Sequence, residues 1–568
     1  MLRLDFLGTA LLFKQPIKVI QTNDIDQVIA CLAEVEQAVD NGYYAVGYIA
    51  YEAAPAFNPD YAVAEQNVMP LVWFGIYKDV DDIDDNQSNL CPVESGDWQP
   101  SVSQAAYQAA IAEIKHQIAQ GNTYQTNYTI RLNGRLADDP YTFYAHLKQA
   151  QQADYCAYLD IGDQIILSAS PELFFHYKAC KIITKPMKGT SARGLHLADD
   201  EVQKALLSSE KNHAENMMIV DLLRNDLNRI AKTGSVHVDK LFSAEKYPTV
   251  WQMTSTISAD IDPSLGLSAI LSALFPCGSI TGAPKESTMQ IIRRLEGQAR
   301  GVYCGTIGII KPNKEMIFNV AIRTLVVDKK TAQAQYGVGG GITWDSTTED
   351  EYQEIIHKAQ VLYDVPLPDC LLESLLLDEG KYFLLDRHLQ RLADSAAYFR
   401  FRCDIPVVIQ QLNDLANKYR QGQWKVRLLM DHCGHLQLNA DVITSMSNVP
   451  LYATWSAQAV NSRNRFLYHK TTRREFYPAA SLNHEYLLFN ERDEITEFVN
   501  GNVALFIAGQ WLTPSSSCGL LAGTMRAQLV AEHKLTEAVL TRADLAKAEK
   551  IVFMNSVRKW REVIWQTA

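Results

Sequence analysis

The sequence is poor in the features that mark secreted, membrane-spanning or nucleic-acid-binding chains. Its ten cysteines are scattered over 568 residues and form no CxxC pair, which argues against a zinc ribbon and against a dense disulfide framework. No apolar run approaches the roughly 20 residues needed to cross a bilayer. The opening MLRLDFLGTALLFKQPIKV has an apolar patch but no convincing signal-peptide cleavage site. Basic residues nowhere gather into the run that a phosphate backbone requires, and the formal net charge is -12, so nucleic acid is excluded as a partner. Internal repeats and low-complexity tracts are also missing. Together these absences predict a cytoplasmic protein with no membrane partner.

What remains is enzyme-like. Hydrophobic residues make up 47% and charged residues 21%, close to globular norms, and the length calls for several domain-sized units. Residues 1–100 read as an α/β lobe, with strand-like YAVGYIAYEA and PLVWFGIY and a helical stretch around IDQVIACLAEVEQAV. The acidic, polar segment Asp79–Ser103 reads as an exposed connection. From 104 to 363, a helix over Tyr107–Ala119 is followed by strand-like QIILSAS, ELFFHY, GTIGII and MIFNVAIRTLVV, which alternate with helical HAENMMIVDLLRNDLNRIAK, the pattern of a layered α/β or α+β domain. VPLPDC then supplies two prolines, and LLESLLLDEGKYFLLD opens a second unit over 370–568.

Four features of the first unit carry chemistry: Glu172 in SASPELF, Lys188 in TKPMKGT, Glu215 in HAENMMIVDLL, and Glu351 with Glu354 in EDEYQEIIHKA. On a helix, residues three apart share a face, so Glu351 and Glu354 could offer oxygens to one hard cation or form a solvated face. In order and over about 260 residues, these strings, with GNTYQTNYT, FPCGSITGAPKESTM, RGVYCGTIG and YGVGGGITWDS, resemble the chorismate-utilising enzymes, especially those that make aminodeoxychorismate. The resemblance implies Mg2+ held by Glu215 and Glu354 with Glu351 as helper, and chorismate bound at Arg323, Thr281, Gly282, Gly339 and Gly340. It also implies that Lys188, alanine in anthranilate-forming relatives, is a nucleophile towards C2, with Glu172 as general acid and base. The GVGGGI glycines could let backbone approach substrate or could simply form a tight turn. No cysteine lies in a glutaminase-type setting with His and Glu partners, so ammonia is expected free or from a separate glutamine amidotransferase subunit.

From Leu371 onward LLESLLLDEG, LDRHLQRLADS, KTTRREFY, NERDEITEFVNGNVALF, LTPSSSCGLLAGTMR and MNSVRKW resemble the fold-type IV pyridoxal-phosphate enzymes. The resemblance implies Lys470 as the lysine that condenses with the cofactor aldehyde and later moves protons, and Glu497 as the partner of the pyridine nitrogen. Arg391 would bind the phosphate, helped by backbone N–H groups at Thr524 and Met525 and by Ser556. Relatives of this fold commonly place the site near a dimer interface, so a homodimer through this unit is a further expectation. Read together, the halves predict 4-aminobenzoate synthesis: amination of chorismate, then pyruvate elimination. The competing readings are an anthranilate- or isochorismate-forming first unit, an amino-acid aminotransferase in the second, and a second unit that is a non-enzymatic docking or dimerisation module.

Overall fold

The computed structural model describes residues 1–65, 69–81, 83, 97–363, 367–443, 449–479, 481 and 483–566. Most of the connection expected over Asp79–Ser103 lies outside them. The chain divides into two compact units: Met1–Arg193 with Gln203–Pro366, and Gly194–Val202 with Leu367–Ala568.

The first unit contains two antiparallel sheets. One runs in the order Gly282–Ala283, Gln125–Arg135, Gln333–Ile342, Thr324–Asp328, Gln164–Ser170, Tyr155–Asp160, Leu2–Phe6, Thr9–Phe13. The other runs Met187–Ala192, Val250–Asp260, Lys181–Lys185, Leu173–Lys178, Met316–Val320, Thr306–Ile310, Tyr44–Ile49, Val72–Tyr77, Lys18–Thr22. Strand alternation explains why they stack. In Tyr44–Ile49, Val46 and Tyr48 enter a core shared with Leu4, Leu159 and Ile166 of the other sheet, whereas Ala45 and Ile49 enter a core with the helix Val28–Asp40. In Gln164–Ser170, Ile166 points to the shared core and Ile165 and Leu167 point to the helices Gln104–Ala119 and Pro140–Gln151. The result is a four-layer sandwich, helices outside and sheets inside. Strands from the expected N-terminal lobe are woven into both sheets.

One sequence-based reading changes. MIFNVAIRTLVV is not one strand but two, Met316–Val320 and Thr324–Asp328, on different sheets. The chain crosses between them through Arg323, whose φ is +51°, a left-handed turn that a continuous strand does not contain. A second crossing, at Pro171–Glu172, joins Gln164–Ser170 to Leu173–Lys178. The two crossings are neighbours, since Ala169 N donates to Arg323 O at 3.1 Å and Val320 N to Glu172 O at 3.0 Å.

The second unit has a four-stranded antiparallel sheet (Lys381–Tyr382, Cys370–Asp378, Gln423–Asp431, Leu436–Val442) and an eight-stranded mixed sheet built around Leu451–Trp455, Lys559–Trp565, Lys550–Asn555 and Asn502–Ile507. The helix Leu385–Phe399 buries Leu389, Leu392, Ala396 and Phe399, the three-and-four spacing of one apolar face. Among the described residues no helix is long and apolar enough to cross a membrane.

Candidate active sites

The crossings of the first unit open on a cavity of about 210 Å³ lined by Glu172, Lys188, Glu215, Arg323, Gly339, Gly340, Gly341, Glu351, Glu354 and Lys358, among others. Lys188 reaches it from the edge strand Met187–Ala192, where the register against Val250–Asp260 slips between Met187 and Thr190. Gly189 takes φ +90° there, and such a bulge re-aims the side chain beside it. Asn216, on the helix Glu210–Asn228, anchors the bulge by donating Nδ2 to Lys188 O at 3.3 Å while accepting from Ser255 Oγ at 2.5 Å.

The Lys188 ammonium has no hydrogen-bond or ion-pair partner among the described residues. Burial lowers its pKa, against the pull of Glu215 and Glu172 and with the help of the Lys358 cation. Burial likewise pushes Glu172 up to about 7, although Ser279 and Lys188 favour its charged form. Glu172 is 2% exposed, and its Oε1 has no partner among the described residues.

The helix Thr348–Ala359 is capped by Thr347, whose side chain accepts from Asp350 N, and carries Glu351, Glu354 and Lys358 along one side. A Cβ added to Gly340 would stand 2.9 Å from Glu351 Oε2 and 3.6 Å from Glu354 Oε1; one on Gly341 would stand 3.0 Å from Lys188 Nζ. The glycine run is therefore mid-strand, paired to Asn127, Tyr128 and Thr129, and is not a tight turn. It clears space for the acidic pair on one face and for the lysine on the other. Lys358 pairs with Glu354 and donates to Gly339 O at 2.7 Å. Burial would raise Glu354, but Lys358 and, further off, Lys188 and Arg323 hold it below the usual carboxylate range. Among the described residues no three His, Cys, Asp or Glu side chains converge to hold a metal unaided. Glu215, Glu351 and Glu354 all line the cavity, a donor set compatible with Mg2+, which takes few protein carboxylates and completes its shell with water and substrate oxygens.

Arg323 lines the cavity and donates Nη1 to Lys358 O at 3.2 Å. Thr281 and Gly282 do not line it. The Thr281 hydroxyl donates to Cys277 O and Gly278 O, and Gly282 abuts Gln125 O, while Ser279 and Ile280 face the cavity. Sequence reasoning missed Lys358, although it follows Glu351 by two helical turns inside a quoted string. Gln125, which packs against Gly341 and is not among the residues lining the cavity, is buried with both amide atoms unpartnered among the described residues.

In the second unit Lys470 is tied to the strand Cys370–Asp378 through Leu372 N, which donates to Lys470 O at 3.0 Å. Its amine, too, has no partner among the described residues. Burial, aided by the Arg391 and Arg474 cations and opposed by Glu373 and Glu497, brings it down to about 8. Glu497 Oε1 accepts from Tyr477 Oη at 2.8 Å and Leu521 N at 3.2 Å, yet burial lifts the carboxyl to about 7. Arg391 donates to Glu373 through Nε and Nη2, and His388 Nδ1 lies 2.7 Å from Glu373 Oε2. Against burial, the Arg391 cation and the hydrogen bonds from His388 and Arg391 hold Glu373 at about 2. Ser556 Oγ donates to Ser374 O at 3.3 Å, Thr524 Oγ1 sits 3.3 Å from His388 Nε2, and the Met525 side chain packs against Ala504 and Val552. At Thr524 and Met525 it is therefore the backbone N–H groups that are open to an anion. An unpartnered lysine, a buried carboxylate, a braced guanidinium and a helix N-terminus match the aldehyde, ring nitrogen and phosphate of pyridoxal phosphate. Glu373, His388, Arg474 and Tyr477 were missed; a glutamate within an otherwise apolar LLESLLL strand was the available signal.

Comparison with known proteins gives each unit a matching family. Residues 6–364 match the chorismate binding enzyme family and residues 371–564 the class IV amino-transferases. The chain is 39% identical over 265 residues to aminodeoxychorismate synthase component 1 of Escherichia coli, covering 46% of this chain and 58% of that protein. It is 37% identical over 269 residues to the Bacillus subtilis protein of the same name, covering 47% and 57%. The chain thus spans less than two thirds of the length of these relatives. Anthranilate synthase component I of Streptococcus pneumoniae superposes with a TM-score of 0.55 at 25% identity, over 64% of this chain and 92% of that one.

Proposed function

The chain belongs to the chorismate-binding enzyme family, and on that premise we propose that it makes 4-aminobenzoate in two steps, amination of chorismate followed by loss of pyruvate. The observation that carries the first step is the unpartnered Lys188 amine sharing a cavity with Glu172. A lowered amine pKa leaves part of Lys188 neutral and nucleophilic, and a carboxyl near 7 is half protonated at neutral pH. Lys188 Nζ attacks C2 of chorismate as the C4–O bond breaks, Glu172 delivers the proton that releases water, and ammonia then bonds to C4 and expels the lysine. Arg323 suits a substrate carboxylate, and Glu215 and Glu354, with Glu351 alongside, would hold Mg2+ against the other. Ammonia arrives free or from a separate glutamine amidotransferase.

In the second unit pyridoxal phosphate supplies an electron sink for the amino group's carbon. Arg391 and the start of the helix Thr524–Ala531 would hold its phosphate, Glu497 would keep a proton on its ring nitrogen, and Lys470 would remove the C4 proton of the substrate. Pyruvate then departs as the ring becomes aromatic. The test supplies purified protein with chorismate, ammonium, Mg2+ and pyridoxal phosphate and identifies products. Wild type should yield 4-aminobenzoate and pyruvate; Lys470→Ala should stop at aminodeoxychorismate, and Lys188→Ala should form neither. Anthranilate as the product would overturn the first assignment. Amino transfer to 2-oxoglutarate without pyruvate would overturn the second.

A further inference from the structure

The guanidinium assigned to the cofactor phosphate is already braced before any ligand arrives. Arg391 donates Nε to Glu373 Oε1 at 2.8 Å and Nη2 to Glu373 Oε2 at 2.7 Å, a fork that fixes the plane of the guanidinium. Nη1 makes no hydrogen bond to the described residues. Glu373 stands on the strand Cys370–Asp378 between buried Leu372 and Leu375 and is 2% exposed, a setting in which a carboxylate is costly unless paired. Its Oε2 also accepts from His388 Nδ1. Burial, with the cations Arg391 and Lys470 and against Glu373, lowers the His388 pKa, so the ring is neutral. A neutral ring donating from Nδ1 accepts at Nε2, and there it takes the Thr524 hydroxyl at 3.3 Å.

Thr524 begins the helix Thr524–Ala531, whose first backbone bond runs from Ala527 N to Gly523 O. The N–H groups of Thr524, Met525 and Arg526 are therefore left over by the helix. One carboxylate thus connects a strand, the helix bearing Arg391, and the N-terminus of a third element.

We infer that Glu373 and His388 are positioning residues that set the Arg391 fork and the first turn of Thr524–Ala531 as one preformed cradle for a phosphate monoester. The inference rests on the cofactor reading above and deepens it. Its sign is diagnostic. Glu373 carries a negative charge that by itself repels a phosphate dianion, so removing it should tighten phosphate binding if charge decided the outcome. If orientation decides it, removal weakens binding.

The test titrates full-length protein, stripped of cofactor, with pyridoxal phosphate and with pyridoxal, which has the same aldehyde and no phosphate. Wild type, Glu373→Gln, Arg391→Gln and the double variant are compared by bound-state absorbance. Glu373→Gln should weaken pyridoxal phosphate roughly tenfold to hundredfold, the range for a lost hydrogen bond to a charged group, and leave pyridoxal unchanged. The double variant should match Arg391→Gln alone, because Glu373 acts through the arginine. Tighter or unaltered phosphate binding, or a parallel loss for pyridoxal, overturns the inference. His388→Gln keeps the Glu373 charge and serves if Glu373→Gln does not fold: a smaller loss confined to pyridoxal phosphate supports the cradle, and an unchanged preference overturns it. Failure of wild type to bind pyridoxal phosphate would instead overturn the cofactor reading, and this inference with it.

Discussion

At the scale of single residues, each site turns on a lysine that burial has made less basic and that has no partner among the described residues. A partnered lysine would resist deprotonation and would have to break an ion pair before reacting. In the first site the complementary group is Glu172, raised by burial to about 7. A general acid must carry its proton, so the competent fraction of Glu172 falls as pH rises through about 7 and the pH profile of chorismate amination should bend downward there. Measured at saturating free ammonia, Glu172→Gln should lower the amination rate by about 10²–10⁴ and remove the descending limb. A decline near neutrality that survives in Glu172→Gln would assign that titration to another group.

At the scale of elements, the sheet crossings and the glycine run do most of the positioning. Pro171–Glu172 and Arg323 lie where the chain passes from one sheet to the other, and the strand Gln333–Ile342 presents three glycines between the acidic helix and Lys188. A Cβ on Gly341 would fall 2.0 Å from Gln125 Nε2 and 3.0 Å from Lys188 Nζ. Gly341→Ala should therefore displace both side chains and cut chorismate amination at least tenfold, while pyruvate release from supplied aminodeoxychorismate continues. Equal loss of both activities would point to general destabilisation. These devices also mark how far the sequence was legible. The helices Val28–Asp40 and Thr348–Ala359, the strands flanking them, and the residues inside quoted strings could be read because periodicity and motif are local. The break at Arg323 could not, because MIFNVAIRTLVV is apolar enough to satisfy either sheet and the left-handed turn comes from the crossing, a tertiary constraint. Thr281 and Gly282 illustrate the converse: motif proximity does not say which residues line the wall, and in that motif Ser279 and Ile280 do. Glu373 was hidden by its apolar neighbours, since its partners His388 and Arg391 come from another element.

At the scale of the whole molecule, the two chemistries are separable because each unit closes its own sheets and cores and keeps its lysine, carboxylate and anion-binding groups within itself. Among the described residues, those lining the Lys188 cavity all belong to the first unit, and the charged neighbours of Lys470 all belong to the second. A defect in one site should then leave the other competent. Lys188→Ala should still release pyruvate and 4-aminobenzoate from supplied aminodeoxychorismate, and Lys470→Ala should still consume chorismate. Mixed in equal amounts with chorismate, ammonium, Mg2+ and pyridoxal phosphate, the two inactive variants should regain 4-aminobenzoate formation after a lag that shortens as protein concentration rises, because the intermediate must cross solvent from one molecule to another. Continuous measurement of 4-aminobenzoate fluorescence reads this directly. If each variant retains its single reaction but the mixture forms no 4-aminobenzoate, the intermediate does not leave the molecule that made it, and the independence argued from the two closed units fails for the pathway even though it holds for the folds.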